Sequence, residues 1–241
     1  MIIQMIFAAI LGASLASFAN VLIYRLSRDI SLVVPATSFC PSCQVSIHWY
    51  DKVPVISWFV LNGQCRSCGA DISVRYVIVE VLGALLGALV CLDYGFNLGG
   101  LSILLLLINL LVIAIIDWKY RIIPHALTVS GLVIGLALSQ FNNTGLKEAI
   151  VGALVGVGIV LVLSYGYRFC RGQHGMGGGD LMLLAMLGSY WGPLGVLVIL
   201  FVACIIGLLY MSLVCRLQIK GDDRISFGPF LSLAAALVLM L

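Results

Sequence analysis

Charged side chains are scarce in this 241-residue chain: Asp, Glu, Lys and Arg together make up only 10% of it, whereas 62% is hydrophobic. Soluble domains are roughly 45–50% apolar and about 25% charged. The composition therefore excludes an ordinary soluble enzyme and predicts an integral membrane protein surrounded by lipid. The 13 basic residues are scattered among apolar runs rather than gathered on one face, so we expect no nucleic-acid partner.

Long uncharged runs recur along the whole chain, and a bilayer core needs about 20 apolar residues per spanning helix. We predict an all-α polytopic membrane protein with about eight transmembrane helices. They are placed at 2–24, 76–93, 101–116, 125–140, 148–167, 179–192, 194–214 and 227–241. The run 179–192 is short and ends at Trp191-Gly192-Pro193, so a tilted, kinked or re-entrant helix is open there.

The positions of the basic residues predict the orientation in the membrane. No positive charge precedes the first apolar run, whereas Arg25 and Arg28 follow it, which favours an N-terminus outside the cell. The loops 25–75, 117–124, 168–178 and 215–226 are then cytoplasmic, and they hold every basic residue except Lys147. Small residues near 13–19 leave a cleaved signal peptide as the alternative for the first run.

The polar segment 25–75 differs from the rest of the chain and is predicted to be a small cytoplasmic domain. It contains two cysteine pairs, each separated by two residues: Cys40 with Cys43, and Cys65 with Cys68. This spacing is typical of a zinc ribbon, in which four thiolates fill a tetrahedral structural site. Two disulfides are the competing interpretation, although they are uncommon in a reducing compartment. His48 is placed outside the metal shell because four sulfurs already fill it.

Two aspartates are the candidate catalytic residues. Ionisable side chains in or beside spanning helices are costly and therefore functional candidates. Asp117 ends the third predicted helix and Asp180 begins the sixth, so opposed helix directions place both at the cytoplasmic boundary. Two carboxylates a few ångströms apart share a proton and can activate water on one side while protonating the leaving group on the other. The alternative for each aspartate singly is an interfacial charge or a helix cap.

The glycines Gly177, Gly178 and Gly179, just before Asp180, are expected to let an extended substrate or a partner helix approach the site closely. A phosphate-binding loop is rejected because no Lys-Ser or Lys-Thr follows and no strand precedes.

The other ionisable residues are given roles outside the catalytic pair. Asp93 and Glu148 fall on the outer side, Glu80 is expected to pair with a base such as Arg75, Asp222 and Asp223 occupy a solvated turn, and the isolated histidines, His125 and His174 among them, do not make a zinc protease.

Longer motifs follow one another in order along almost the whole chain. They are Phe18-Ala19-Asn20-Val21-Leu22-Ile23-Tyr24-Arg25-Leu26, the cysteine pairs enclosing Trp49-Tyr50-Asp51-Lys52-Val53-Pro54-Val55-Ile56-Ser57-Trp58, Ile72-Ser73-Val74-Arg75-Tyr76 with Glu80, Asp117 with Ile123-Pro124 and Leu127-Thr128, Gly175-Met176-Gly177-Gly178-Gly179-Asp180, and Phe227-Gly228-Pro229-Phe230. With these motifs the sequence resembles the bacterial type IV prepilin peptidases, or prepilin leader peptidases, of pilus and type II secretion systems.

The resemblance implies that Asp117 and Asp180 are the catalytic pair of a GxGD aspartic protease in the bacterial inner membrane. It implies a prepilin or pseudopilin substrate whose basic leader is cut after a glycine, just before a hydrophobic helix. It also implies N-methylation of the new N-terminus with S-adenosylmethionine, although no dinucleotide-type glycine fingerprint is present. Where the family commonly has lysine two residues after the second aspartate, this chain has Met182.

We therefore predict three segments: a first transmembrane helix at 1–24, a cytoplasmic four-cysteine zinc-binding domain at 25–75 and a transmembrane aspartic peptidase domain at 76–241. Two other function classes stay open. A transporter would use the aspartates for ions, and a zinc-ribbon assembly factor would use its membrane helices only as an anchor. The oligomeric state is not predicted.

Overall fold

The computed structural model describes residues 1–32, 37–142, 144–171, 177–214 and 226–239. Over these residues the regular structure is helical apart from two isolated β-bridges. The helices are α1 (Ile2–Leu26), α2 (Ile56–Val60), α3 (Arg75–Tyr94), α4 (Leu98–Tyr120), α5 (His125–Ala137), α6 (Leu146–Arg171), α7 (Gly178–Val214) and α8 (Gly228–Leu239), with a 3-10 turn at Trp49–Lys52. The all-α prediction is confirmed.

Five of these helices, α1, α3, α4, α6 and α7, are long and apolar enough to cross a membrane. Helices α5 and α8 are apolar but shorter, with 13 and 12 residues. The chain is therefore a multi-pass membrane protein. The chain divides into two compact units, Met1–Ile108 and Asn109–Leu241. The predicted boundaries at residues 24 and 75 stay a prediction.

In the first unit, α1 packs along α3 through small residues. A methyl group added to Gly12 would collide with the backbone of Gly83, and one added to Gly87 would collide with that of Ala8. Glycines of this kind let two backbones approach closely where apolar side chains gain little by leaving lipid. The buried Asn20 of α1 adds a polar link by donating to the carbonyl of Tyr76 at 3.1 Å.

In the second unit, α7 is the central element and packs against α5, α6 and α8. Its contact with α6 again depends on glycine, because a methyl group on Gly152 would strike the carbonyl oxygen of Gly188. Helix α7 is kinked at Gly192, whose φ of 69° and ψ of −173° are not helical, just before Pro193. This break divides α7 into two helical runs, which agree with those predicted at 179–192 and 194–214, at the point where proline cannot donate a helical hydrogen bond.

Candidate active site and candidate metal centre

Asp117 lies inside α4 rather than at its end, because the helix continues for one turn to Tyr120. The side chain is only 4% exposed. Its Oδ2 accepts a hydrogen bond of 3.0 Å from the backbone N–H of Gly228, the first residue of α8. The positive end of a helix dipole therefore faces this carboxylate, which offsets part of the cost of burying it.

Asp180 is the third residue of α7 and is partly buried. Its carboxylate lies within electrostatic range of Asp117 and of the backbone amide of Gly177. The backbone donor of Asp117 is fixed by the fold, so that carboxylate is oriented without a flexible partner.

Ile123 is a shared neighbour of Gly179, which precedes Asp180, and Gly228, which is bonded to Asp117. The chain leaves α4 through Arg121, which has a φ of 57° and donates its N–H to the Asp117 carbonyl. Ile123 follows two residues later, and an ideal Cβ on Gly179 would lie 2.8 Å from its Cβ. An ideal Cβ on Gly228 would lie 3.3 Å from its Cδ1. The residue before Asp180 and the residue bonded to Asp117 therefore touch one side chain.

The three predicted glycines have different surroundings. A Cβ on Gly179 has no room against Ile123, a Cβ on Gly177 would be in ordinary contact with Oδ2 of Asp180 at 3.7 Å, and one on Gly178 would meet nothing within 4 Å. Gly175 and Met176 lie outside the described residues. Glycine at 179 is therefore needed because Ile123 leaves no room for a side chain there. At Gly178 the described residues leave open space.

Among the other ionisable candidates, Glu148 lies apart from the pair. Glu148, in the first turn of α6, lies beside the kink at Gly192, which is twelve residues and therefore roughly 18 Å along α7 from Asp180. His125 is exposed at the start of α5. His174, Asp222 and Asp223 fall outside the described residues.

Glu80 differs from the sequence expectation. Its Oε2 accepts the backbone N–H of Val55 at 2.7 Å, not a basic side chain. Val55 has φ 64° and ψ −53°, and the N–H of Ile56 bonds the carbonyl of Pro54 at 2.6 Å. This is a γ-turn of the rare, strained form, which is especially unfavourable for a β-branched residue. The buried carboxylate of Glu80 thus fixes the loop before α2 against α3.

The four predicted cysteines converge in the first unit. The sulfurs of Cys40, Cys43, Cys65 and Cys68 all lie within 4.8 Å of one another, and all four thiols are free. Cys40 and Cys68 come from different pairs, and their sulfurs are 3.8 Å apart, well beyond the length of about 2.05 Å of a disulfide. The cluster can hold one metal ion.

The two cysteine pairs adopt the same local fold. The N–H of Cys40 donates to the carbonyl of Val45, and the N–H of Cys65 donates to that of Ala70, five residues later in both cases. The residue after each second cysteine, Gln44 or Gly69, has a positive φ of 60° or 70°. Each pair is therefore a tight turn that directs two sulfurs to the same side, which is the reason for the two-residue spacing.

Thiolates are favoured in this cluster by backbone donors. The N–H of Cys43, and more weakly that of Ser42, lowers the pKa of the Cys40 thiol to about 6 against the opposing effect of burial. The backbone N–H of Ala70 also lowers the pKa of the Cys68 thiol, but the opposing effect of the neighbouring cysteine side chains is larger and raises that pKa to about 12. Four such groups cannot all ionise together unless a cation lies among them.

Comparison with known proteins now bears on both sites. The N-terminal part, residues 10–94, matches the Bacterial Peptidase A24 N-terminal domain, and residues 104–212 match the Type IV leader peptidase family. The chain is 33% identical over 262 residues to a "Prepilin leader peptidase/N-methyltransferase" of Neisseria gonorrhoeae, covering 96% of this chain and 88% of the relative. The chain belongs to the type IV leader peptidase family.

Further relatives in the type IV leader peptidase family have related names. A "Type 4 prepilin-like proteins leader peptide-processing enzyme" of Escherichia coli is 33% identical, over 95% of this chain and 90% of the relative. A "Prepilin leader peptidase/N-methyltransferase" of Myxococcus xanthus is 36% identical, over 77% of this chain and 55% of the relative. No solved structure matches the chain. The resemblance read from the motifs is confirmed.

Sequence reasoning missed the roles of two residues. Phe227-Gly228-Pro229-Phe230 and Ile123-Pro124 were part of the resemblance, but no function was assigned to them. The structure places Gly228 against Asp117 and Ile123 between the two glycines beside the pair. A Gly-Pro dipeptide that opens a short apolar helix was the available signal, because it leaves an amide donor at the helix start.

Proposed function

We propose that this protein is a membrane aspartic endopeptidase that removes the leader of type IV prepilins or pseudopilins, with Asp117 and Asp180 as the catalytic pair. The observation that carries this proposal is that the two aspartates lie within electrostatic range of each other. Gly179, beside Asp180, and Gly228, bonded to Asp117, also share the neighbour Ile123. The names of the relatives supply the substrate class. The expected cleavage point is after a glycine, where a basic leader meets a hydrophobic helix.

Two carboxyl groups within electrostatic range of each other can take different roles in hydrolysis. One in its ionised form takes a proton from the attacking water, and the other in its protonated form gives a proton to the leaving amine. The proton belongs to the pair, so activity requires both residues. Among the described residues no atom would lie within 4 Å of a Cβ on Gly178, and this space would allow an extended peptide backbone to reach the carboxylates.

The site is proposed to lie at the cytoplasmic face of the bacterial inner membrane, with the N-terminus outside. Twelve of the 13 basic residues fall in the loops that this orientation makes cytoplasmic, which supports it by the distribution rule for positive charges. Asp117 is three residues from the end of its apolar helix and Asp180 two residues from the start of its own. A substrate with a soluble leader and a membrane helix would present its scissile bond at that level.

The four-cysteine cluster is proposed to hold a structural zinc ion. Tetrahedral zinc with Zn–S bonds of about 2.3 Å requires sulfurs about 3.8 Å apart, which agrees with the 3.8 Å between Cys40 and Cys68. Four sulfur ligands leave no position for water, so the ion would stabilise the cytoplasmic domain and take no part in hydrolysis. Asp51 and Arg66 reinforce the same region through a salt bridge of 2.7 Å.

N-methylation of the new N-terminus is the finer part of the proposal, and its support is the printed name of the relatives. S-adenosylmethionine would supply the methyl group. The cavity in the first unit, lined by side chains such as Ala8, Leu11, Val90 and Leu101, is apolar. It does not fit a charged amino acid joined to a nucleoside, so no step is assigned to that cavity.

Mass spectrometry of a co-expressed prepilin tests the proposal, because it reports both the cleavage point and a methyl increment of the product. We expect Asp117→Asn and Asp180→Asn each to abolish cleavage while the purified variants keep their zinc. Cleavage by both variants at the wild-type rate would contradict the peptidase and favour a transporter or an assembly factor. Cleavage without a methyl increment would contradict the methyltransferase alone.

A further inference from the structure

The backbone amide of Gly228 is the free donor of its helical turn. The first four N–H groups of a helix have no partner within the helix. At the start of α8, Pro229 has no N–H, and the amides of Phe230 and Leu231 both donate to the carbonyl of Phe227, each at 3.1 Å. The N–H of Gly228 remains, and it donates to Oδ2 of Asp117 across 111 residues of chain in a buried contact of 3.0 Å.

Residue 228 must also be glycine because there is no room for a side chain, and not because of its backbone conformation. Its φ lies outside the left-handed region, so an L-amino acid could adopt the same backbone. A Cβ at this position would, however, lie 2.6 Å from Oδ2 and 3.2 Å from Cγ of Asp117. Real Cβ atoms do not approach other atoms so closely, and the carboxylate would have to rotate away. Any side chain at residue 228 therefore disturbs the one carboxylate that the amide holds.

We infer that Gly228 is a positioning residue for the aspartate pair: its amide fixes one oxygen of Asp117, and its missing side chain leaves room for that carboxylate. The inference rests on the proposed function of Asp117. It gives the two aspartates different roles. Oδ2 of Asp117 is committed to α8, so the second oxygen of Asp117 and the carboxyl group of Asp180 remain for water and substrate.

Gly228→Ala tests this inference in the full-length protein with a co-expressed or purified prepilin. We expect kcat for cleavage to fall about 100-fold, the loss typical of misplacing a catalytic group by roughly 1 Å. KM should stay within about threefold, because Gly228 holds a carboxylate and not the substrate. The melting temperature should fall modestly, because the added methyl group crowds a buried carboxylate and weakens its hydrogen bond, so kcat is measured where the variant is still folded. A merely structural glycine would lower the melting temperature and leave kcat of the folded protein unchanged.

Two matched controls are available, Pro229→Ala in α8 and Gly207→Ala in α7. Pro229→Ala leaves the Gly228 amide in place. In Gly207→Ala the new Cβ would lie at an ordinary contact distance of 3.9 Å from Phe230. Both variants should keep kcat within about threefold. Full kcat in Gly228→Ala, with Asp117→Asn inactive, would overturn the inference and leave the proposed function intact. Full activity of Asp117→Asn would overturn the proposed function itself.

A second measurement does not depend on how Gly228→Ala folds. Phe227-Gly228 is the only Phe-Gly dipeptide in the sequence, so protein labelled with carbonyl-13C phenylalanine and 15N glycine gives a single doubly labelled amide signal. Asp117→Asn should shift this signal because it changes the acceptor from a carboxylate to an amide. The shift should be larger than in Asp180→Asn. An equal or smaller shift would refute the contact.

Discussion

Replacing Cys65 by serine removes one of the four sulfurs from the cluster, and the structure indicates how much depends on it. Between residues 37 and 74, all of which are described, Cys40 is the only hydrophobic residue that is buried. Ordering a chain segment costs about 1–2 kcal/mol per residue, and this segment has almost no apolar core to offset it. We therefore expect its fold to depend on the proposed metal ion and on attachment at its two ends.

The magnitude follows from that dependence. A four-thiolate zinc site contributes about 10–16 kcal/mol of apparent free energy to the folding of a small domain, whereas the Asp51–Arg66 pair, in which the Arg66 side chain is exposed, contributes far less. Cys65→Ser should therefore lower bound zinc from about one ion per chain to below 0.1, an order-of-magnitude expectation from the loss of one ligand in four. The domain should then become accessible to protease.

Metal analysis and limited trypsinolysis of the detergent-solubilised protein measure both effects. Trypsin should cut after Lys52 and Arg66 in Cys65→Ser and in chelator-treated wild type, but not in the metal-loaded protein. Cys91→Ser and Cys204→Ser are matched controls, because these cysteines are free and belong to α3 and α7. Full zinc content in Cys65→Ser, or its absence from wild-type protein, would refute the reasoning.

Two further predictions concern stability and are checked by thermal unfolding in detergent. Glu80→Ala leaves the buried N–H of Val55 without its acceptor and should cost about 1–3 kcal/mol, whereas Glu80→Gln keeps an acceptor oxygen and should cost less; equal losses would contradict the hydrogen bond. Gly152→Ala should lower the melting temperature by forcing α6 away from Gly188, whereas Gly158→Ala, which meets nothing within 4 Å, should not. A loss in both glycine variants would point to a general effect of substitution in α6.

Much of the helical architecture followed from hydropathy, because apolar runs in a membrane protein have few alternatives to a helix. The ends of the helices were less predictable. Asp117 was expected to end its helix, since a charge usually marks the edge of an apolar run, yet α4 continues to Tyr120. The N–H of Gly228 and the dipole of α8 offset part of the free-energy cost of burying the Asp117 carboxylate. Gly228 is 111 residues further along the chain, so a local reading of the sequence does not reveal this contact.

The candidate site was predictable in its side chains but not in its main-chain contacts. The two cysteine pairs stand out by their two-residue spacing, and the two aspartates stand out because charge is rare in this sequence. Backbone donors have no such signal. The turn at Val55 shows the same limit, because nothing about valine predicts a φ of 64°. Its partner, Glu80, was correctly singled out as an ionisable residue near a helix start, but an amide and not a base satisfies it.

The position of the carboxylate pair argues for hydrolysis over ion transport. A transporter generally places its acidic residues near mid-membrane on discontinuous helices, and α7 is indeed broken, at Gly192. That break lies roughly 18 Å along the helix from Asp180, and Glu148, not the aspartate pair, lies beside it. At the start of α7, Asp180 lies within electrostatic range of Asp117, whose carboxylate accepts the backbone N–H of Gly228. A donor fixed in this way holds the Asp117 carboxylate in one arrangement, which suits a reaction that needs constant geometry more than a site that must release its ion.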